Sequence, residues 1–124
     1  MKMKLENILT INETMKSIID NPDLKIDPLF KFKLLGIMKS IETHVANFEI
    51  IRNEKIREYG TENEDGNISI SADDKETIQK FSDELNELLK TDIDVNFAKL
   101  KANDVFDKGL PAVYLVNLYS IIEE

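Results

Sequence analysis

The chain has no cysteine, one histidine, three prolines and four glycines among its 124 residues. Without cysteine there is no disulfide, thiolate nucleophile or thiolate ligand, a composition compatible with a reducing compartment. The glycines are scattered, so no Gly-rich phosphate loop is present. No Pro/Gly/Ser-rich linker, internal repeat or low-complexity tract divides the sequence, and residues 1–124 read as one domain. Long apolar runs are missing too. The opening MKMKLENILTINETMKS is interrupted by Glu6, Asn7, Asn12 and Glu13, unlike a signal peptide, and no stretch is long enough to span a bilayer. Neither secretion by a signal peptide nor a membrane partner is therefore expected. The sequons at Asn12 and Asn67 then read as chance.

Apolar residues make up 42% of the chain and charged residues 32%, a globular rather than a disordered balance. The net charge of −8 is uneven. Residues 1–60 hold ten Lys/Arg and nine Asp/Glu, whereas residues 61–124 hold six Lys and fifteen Asp/Glu. An acidic half repels phosphate backbones, so direct nucleic-acid binding is not expected. Its surface is either simply solvated or shaped for a basic partner, with Asp83, Glu84 and Glu87 as candidate contacts.

Hydrophobic spacing predicts a mainly α fold with a small β element. Leu5, Ile8, Ile11, Met15 and Ile18 recur at three and four and predict a helix over 5–20, stopped by Asn21-Pro22-Asp23. Asp27 is a capping residue and Pro28 suits the first helical position. The helix they open should run to Tyr59, about 32 residues or roughly 48 Å, with Gly60 in a left-handed C-terminal position. Leu34, Met38, Ile41, Val45 and Phe48 form a helix-packing seam along it. Ile78, Phe81, Leu85 and Leu88 predict a third helix over 74–90, folded back on that seam as an antiparallel pair. Residues 61–66 read as a polar loop with an Asp65-Gly66 turn. Residues 67–71 and 92–98 alternate apolar and polar as half-buried strands do and are expected to pair in a short two-stranded sheet. A closing helix over 110–122, opened by Pro111, is apolar on most sides. It is therefore either central to the core or covered by a second chain. Tyr114, Val116 and Tyr119 are its candidate interface residues, and a homo-oligomer is the expected result.

The chemical motifs are weak. Thr61, Asn63, Asp65 and Gly66 follow EF-hand spacing, but Thr61 stands where Asp is needed and Ala72 where the bidentate Glu belongs. His44 lacks neighbours at metal-ligand spacing and reads as a partly buried structural residue. No nucleophile-elbow motif surrounds any serine. Asp92 and Asp94 read as the solvent face of a strand. Phe30, Lys31, Phe32 and Lys33 interleave aromatic and basic residues, as some nucleic-acid sites and many core-facing helix starts do. No catalytic residue, metal or cofactor is expected.

The order of these segments resembles a family of small phage and prophage proteins of unknown function. The Lys/Asn-rich start, Arg52-Asn53-Glu54-Lys55 running into Tyr59-Gly60, and the Asp65-Gly66 turn before Ile68 and Ile70 carry the resemblance. Phe81, Glu84-Leu85, Leu88-Leu89, Ile93-Asp94-Val95 and the closing Ile121-Ile122-Glu123-Glu124 complete it across nearly the whole chain. The resemblance implies a phage-encoded protein acting in a bacterial cytoplasm or within a particle, and it supplies no catalytic residues. The expected function is a non-catalytic one exercised through protein–protein contact, as a particle component or an assembly factor. The alternative is an acidic inhibitor of a host or defence nucleic-acid-binding protein.

Overall fold

In the computed structural model, which describes residues 1–123, the first apolar stripe closes as helix α1 (Leu5–Asp20), with Leu5, Ile8, Ile11, Met15 and Ile18 all buried. Thr14 is buried among them, and its hydroxyl donates to the Thr10 carbonyl at 2.8 Å, so no polar group is stranded. Helix α2 (Pro28–Tyr59) begins where the cap chemistry demands. The Asp27 carboxylate accepts the Phe30 N–H at 2.8 Å and is also hydrogen-bonded by the Lys108 ammonium. The short 21–27 turn reverses the chain, so α1 lies antiparallel along the first part of α2, and Leu5 sits beside His44 and Phe48. Phe30, Leu34, Ile37 and Ile41 bury the facing stripe of α2. Helix α3 (Lys75–Leu89) starts at Asp74, whose carboxylate accepts the Thr77 N–H at 3.1 Å. It returns antiparallel along the later part of α2, with Glu84 reached by both Tyr59 and Lys55 and Leu88 beside Phe48 and Ile51.

The architecture is thus mainly α with a small β element, and α2 serves as a spine for α1 near its start and α3 near its end. Part of the expected seam goes to a different partner. The α1 stripe takes the Leu34–Ile41 section, because the short 21–27 turn lays α1 along it and α3 meets α2 only toward its far end.

Strand pairing departs from the sequence reading. Strand β3 (Ile68–Ser69) pairs with β2 (Thr61–Glu62), not with residues 92–98. The turn between them is self-contained: the Asn63 side-chain oxygen accepts the N–H groups of Asp65 and Asn67, both at 3.0 Å, and Gly66 takes φ +82°. A hairpin closed this locally has no need of a distant strand. Strand β4 (Asp92–Asp94) instead pairs antiparallel with β1 (Lys2–Lys4), Lys2 opposite Asp94 and Lys4 opposite Asp92. Val95 continues this pairing, its N–H donating to the Met1 carbonyl at 2.9 Å and its carbonyl accepting from the terminal ammonium at 3.1 Å, and residues 96–99 lie outside any ladder. Gly60 is extended, at φ −90° and ψ 169°, and not left-handed. Its amide still closes the end of α2 by donating to the Ile56 carbonyl at 2.7 Å.

The closing segment is shorter and more broken than periodicity predicts. Strand β5 (Leu100–Lys101) leads into a short helix α4 (Ala102–Phe106). Helix α5 (Ala112–Leu118) passes into a 3-10 turn (Tyr119–Ile121) and strand β6 (Ile122–Glu123), which pairs parallel with β5. Glu124, the last residue of the family-like ending, lies outside the described residues.

Four carboxylates tie elements together or cap them. Lys108 and then the Phe30 amide hold Asp27 below the usual carboxylate value. Thr77 does the same for Asp74, Tyr59 and then Lys55 for Glu84, and Lys33 for Asp104. A depressed folded-state pKa means that the unfolded chain takes up protons first as pH falls. The stability from these groups is therefore present above the ordinary carboxylate range, near about pH 4, and is lost as pH falls through the lower folded-state values. The urea midpoint should decline between about pH 5 and about pH 3, and less steeply in an Asp27→Asn/Asp104→Asn variant. Equal slopes in the two proteins would refute the assignment to these pairs.

Candidate functional site

The closing segment presents two unlike sides. Leu110, Leu118 and Ile121 are buried in the common core, and Tyr114, Leu115 and Ile122 pack half-buried against it. On the outer side Val113, Val116 and Tyr119 recur every third residue, and Val116 and Tyr119 are 72% and 71% exposed. Of the three candidate interface residues, two therefore lie on the outer face and Tyr114 does not. Val113 joins them instead. Periodicity alone could not orient this helix, because apolar residues occupy nearly every angle around it. Its docking against α1 decides the matter. The shallow groove beside the outer face is lined by Asn7, Thr10, Val116, Asn117, Tyr119 and Ser120, with no charged residue among them. On a chain that is 32% charged, such a face is distinctive.

The acidic candidates on α3 separate in a similar way. Asp83, Glu84 and Glu87 are all exposed. Glu84 nonetheless serves the fold. It accepts the Tyr59 hydroxyl at 2.8 Å and meets Lys55 at 3.2 Å, while Lys55 also holds Glu58 at 3.0 Å. The hydrogen bond to Glu84 holds the Tyr59 phenol above its usual value, and Glu58 and Glu84 together raise the Lys55 ammonium. Asp83 accepts the Gln79 side-chain amide at 2.8 Å. Glu87 makes no side-chain contact of this kind among the described residues. The three acids therefore form no concerted site.

The other motifs resolve into structure. The EF-hand-like spacing lies in the β2–β3 hairpin, where the Asn63 side chain binds backbone amides. Among the described residues no group of three or more His, Asp or Glu side chains is placed to hold a metal ion. His44 is half-buried at the edge of a small apolar crevice with Leu5, Phe48 and Ile93. Asp92 and Asp94 are exposed on either side of half-buried Ile93. Within the aromatic–basic start of α2, Phe30 is buried and Phe32 is 74% exposed. Two residues apart on a helix point to nearly opposite sides, and that spacing was the available signal for an exposed Phe32.

Among the described residues no helix is long and apolar enough to cross a membrane. Comparison with protein families, with curated proteins and with solved structures finds no match to this chain.

Proposed function

We propose that the chain is a non-catalytic protein working through protein–protein contact, and that it associates with further copies of itself through the Val113–Val116–Tyr119 face. The resemblance of its segment order to small phage and prophage proteins is what supports reading this role as that of an assembly factor or a particle component, in the host cytoplasm or in the phage particle. One observation carries the reading. The outer face of α5 combines exposed apolar side chains with uncharged polar neighbours. Copies of a protein with net charge −8 repel one another as wholes, most strongly through the acidic second half. A charge-free apolar face is where two copies can meet without that repulsion and without stranding a buried charge.

The alternative is an acidic inhibitor of a basic, nucleic-acid-binding protein. It rests on Asp83 and Glu87, which lie exposed four residues apart on α3. Glu84, already engaged by Lys55 and Tyr59, contributes less to it.

Sedimentation velocity at micromolar concentration tests the first reading. The wild type is expected to form a dimer or larger oligomer that survives raised salt, since apolar contact is not screened. A Val116→Lys/Tyr119→Glu variant should sediment as a folded monomer, because both side chains are exposed. A monomeric wild type would defeat the self-association reading. Complex formation that vanishes with salt and with Asp83→Asn/Glu87→Gln would favour the acidic alternative. Detection of the chain in purified virions by mass spectrometry separates a particle component from an assembly factor.

A further inference from the structure

A second surface, sharing no lining residue with the groove beside α5, lies against α2. Residues 97–101, which lead into β5, run beside the helix and leave a groove of about 430 Å³. Gly36, Ile37 and Leu100 form its floor, Phe97 one wall, and exposed Phe32 its lip. The charged residues lining it are Lys33, Lys99 and Lys101, with no carboxylate among the lining side chains. That is a local inversion of charge on a chain carrying 24 acids and 16 bases. Lys33 is paired with Asp104 at 2.9 Å, whereas Lys99 and Lys101 make no salt bridge among the described residues, Lys101 standing opposite Glu123 in the β5–β6 pair and near Asp104.

Two further observations concern the backbone. Asn96, Phe97 and Ala98 lie outside any ladder and make no backbone–backbone hydrogen bond among the described residues. Surface backbone left without internal hydrogen bonds can pair with another chain. Across the groove from it stands Gly36, in the interior of α2. Glycine destabilises a helix interior relative to alanine. A Cβ built on Gly36 would meet nothing within 4 Å. Packing inside the chain therefore gives no reason for a glycine here, while close approach of a backbone from outside does.

We propose that this groove binds an extended segment of a partner protein that alternates apolar and acidic residues. Its apolar side chains rest on half-buried Phe97 and exposed Phe32, above the buried Ile37 and Leu100. Its carboxylates meet Lys99 and Lys101, and its backbone passes over Gly36 and pairs with residues 96–98. The inference does not depend on self-association through α5.

Fluorescence anisotropy with a labelled, end-blocked peptide of alternating Leu and Glu tests it. The peptide should bind the wild type, and added salt should weaken it. Gly36→Leu, which fills the groove with a good helix former, and Lys99→Glu with Lys101→Gln should each weaken it by about tenfold or more, the scale of one lost well-fitted contact. Val116→Lys/Tyr119→Glu should leave the affinity unchanged. No binding of this peptide, equal binding of an alternating Leu and Lys peptide, or an affinity indifferent to both groove variants would overturn the proposal. Binding of dodecanoate that Gly36→Leu blocks, with no peptide binding, would assign the groove to a small amphiphilic anion and equally overturn it.

Discussion

Leu34→Asp is expected to abolish folding, whereas Leu85→Asp should release one part of the molecule and leave the rest intact. Leu34 is 0% exposed and sits in the stripe of α2 that belongs to the common core. A carboxylate there is buried without a partner, at a cost of several kcal/mol even if it protonates. Total stability for a domain of this size is only about 5–15 kcal/mol. Even Leu34→Ala should cost about 2–5 kcal/mol, as truncation of a well-packed leucine does. Leu85 is 8% exposed and is the only buried residue of α3. The rest of α3 is attached by half-buried Phe81 and Leu88 and by the exposed Glu84 contacts. Hydrogen exchange in moderate urea reads the difference. With Leu85→Asp, amides of residues 75–89 should exchange much faster while those of α1 keep their protection. Uniform loss of protection would show that the helices form one cooperative unit.

Gly60→Ala should be destabilising by about 1–3 kcal/mol, the usual cost of forcing an extra carbon into a filled space. The reason is steric and not conformational. The backbone at Gly60 is extended, which any residue tolerates, but a Cβ would stand 2.5 Å from the Ile56 carbonyl oxygen and 2.8 Å from Ile68 Cγ2. The Ser69 carbonyl oxygen at 3.1 Å closes the third side. Two of these neighbours are backbone atoms, so the β2–β3 hairpin must move away from the end of α2. Gly36→Ala supplies the opposite sign. With open space around the new carbon, it should stabilise by about 1 kcal/mol through helix propensity alone. Urea denaturation of the two variants side by side checks both. Equal effects would mean that the close approach at Gly60 is not real.

Helices α1 to α3 were legible because each carried two agreeing signals, whereas the five-residue α4 was too short to carry any. For α2 these were the apolar stripe and the Asp27-Pro28 start, and for α3 the stripe and Asp74. Both ends of α1 and α2 fall where spacing and capping place them. Two strands, β3 and β4, fall within the alternating segments 67–71 and 92–98, but their partners and the other strands were not legible, since two or three residues cannot establish a period. Yet one trace was present. Lys2-Met3-Lys4 and Asp92-Ile93-Asp94 are complementary when read in opposite directions, so each lysine faces an aspartate across the pair. Helix α5 fails for a different reason. Its apolar residues surround the axis, and only tertiary contact decides that Leu118 turns inward and Val116 outward. The basic groove is assembled from α2 and residues 97–101, so neither segment announces it alone.

The β1–β4 ladder, which joins Lys2 to Asp94, bears on how the chain reaches this structure. Closing so long a loop costs entropy that a three-residue ladder cannot repay by itself. The antiparallel α1–α2 hairpin, by contrast, is made from neighbouring segments and rewards its own closure early. Once α3 has turned back along α2, the Thr91 carbonyl accepts the Leu5 N–H at 3.0 Å and the two strands already lie side by side. The ladder is then a late seal on a topology the helices have chosen. Its contacts govern how fast the folded chain opens more than how fast it forms.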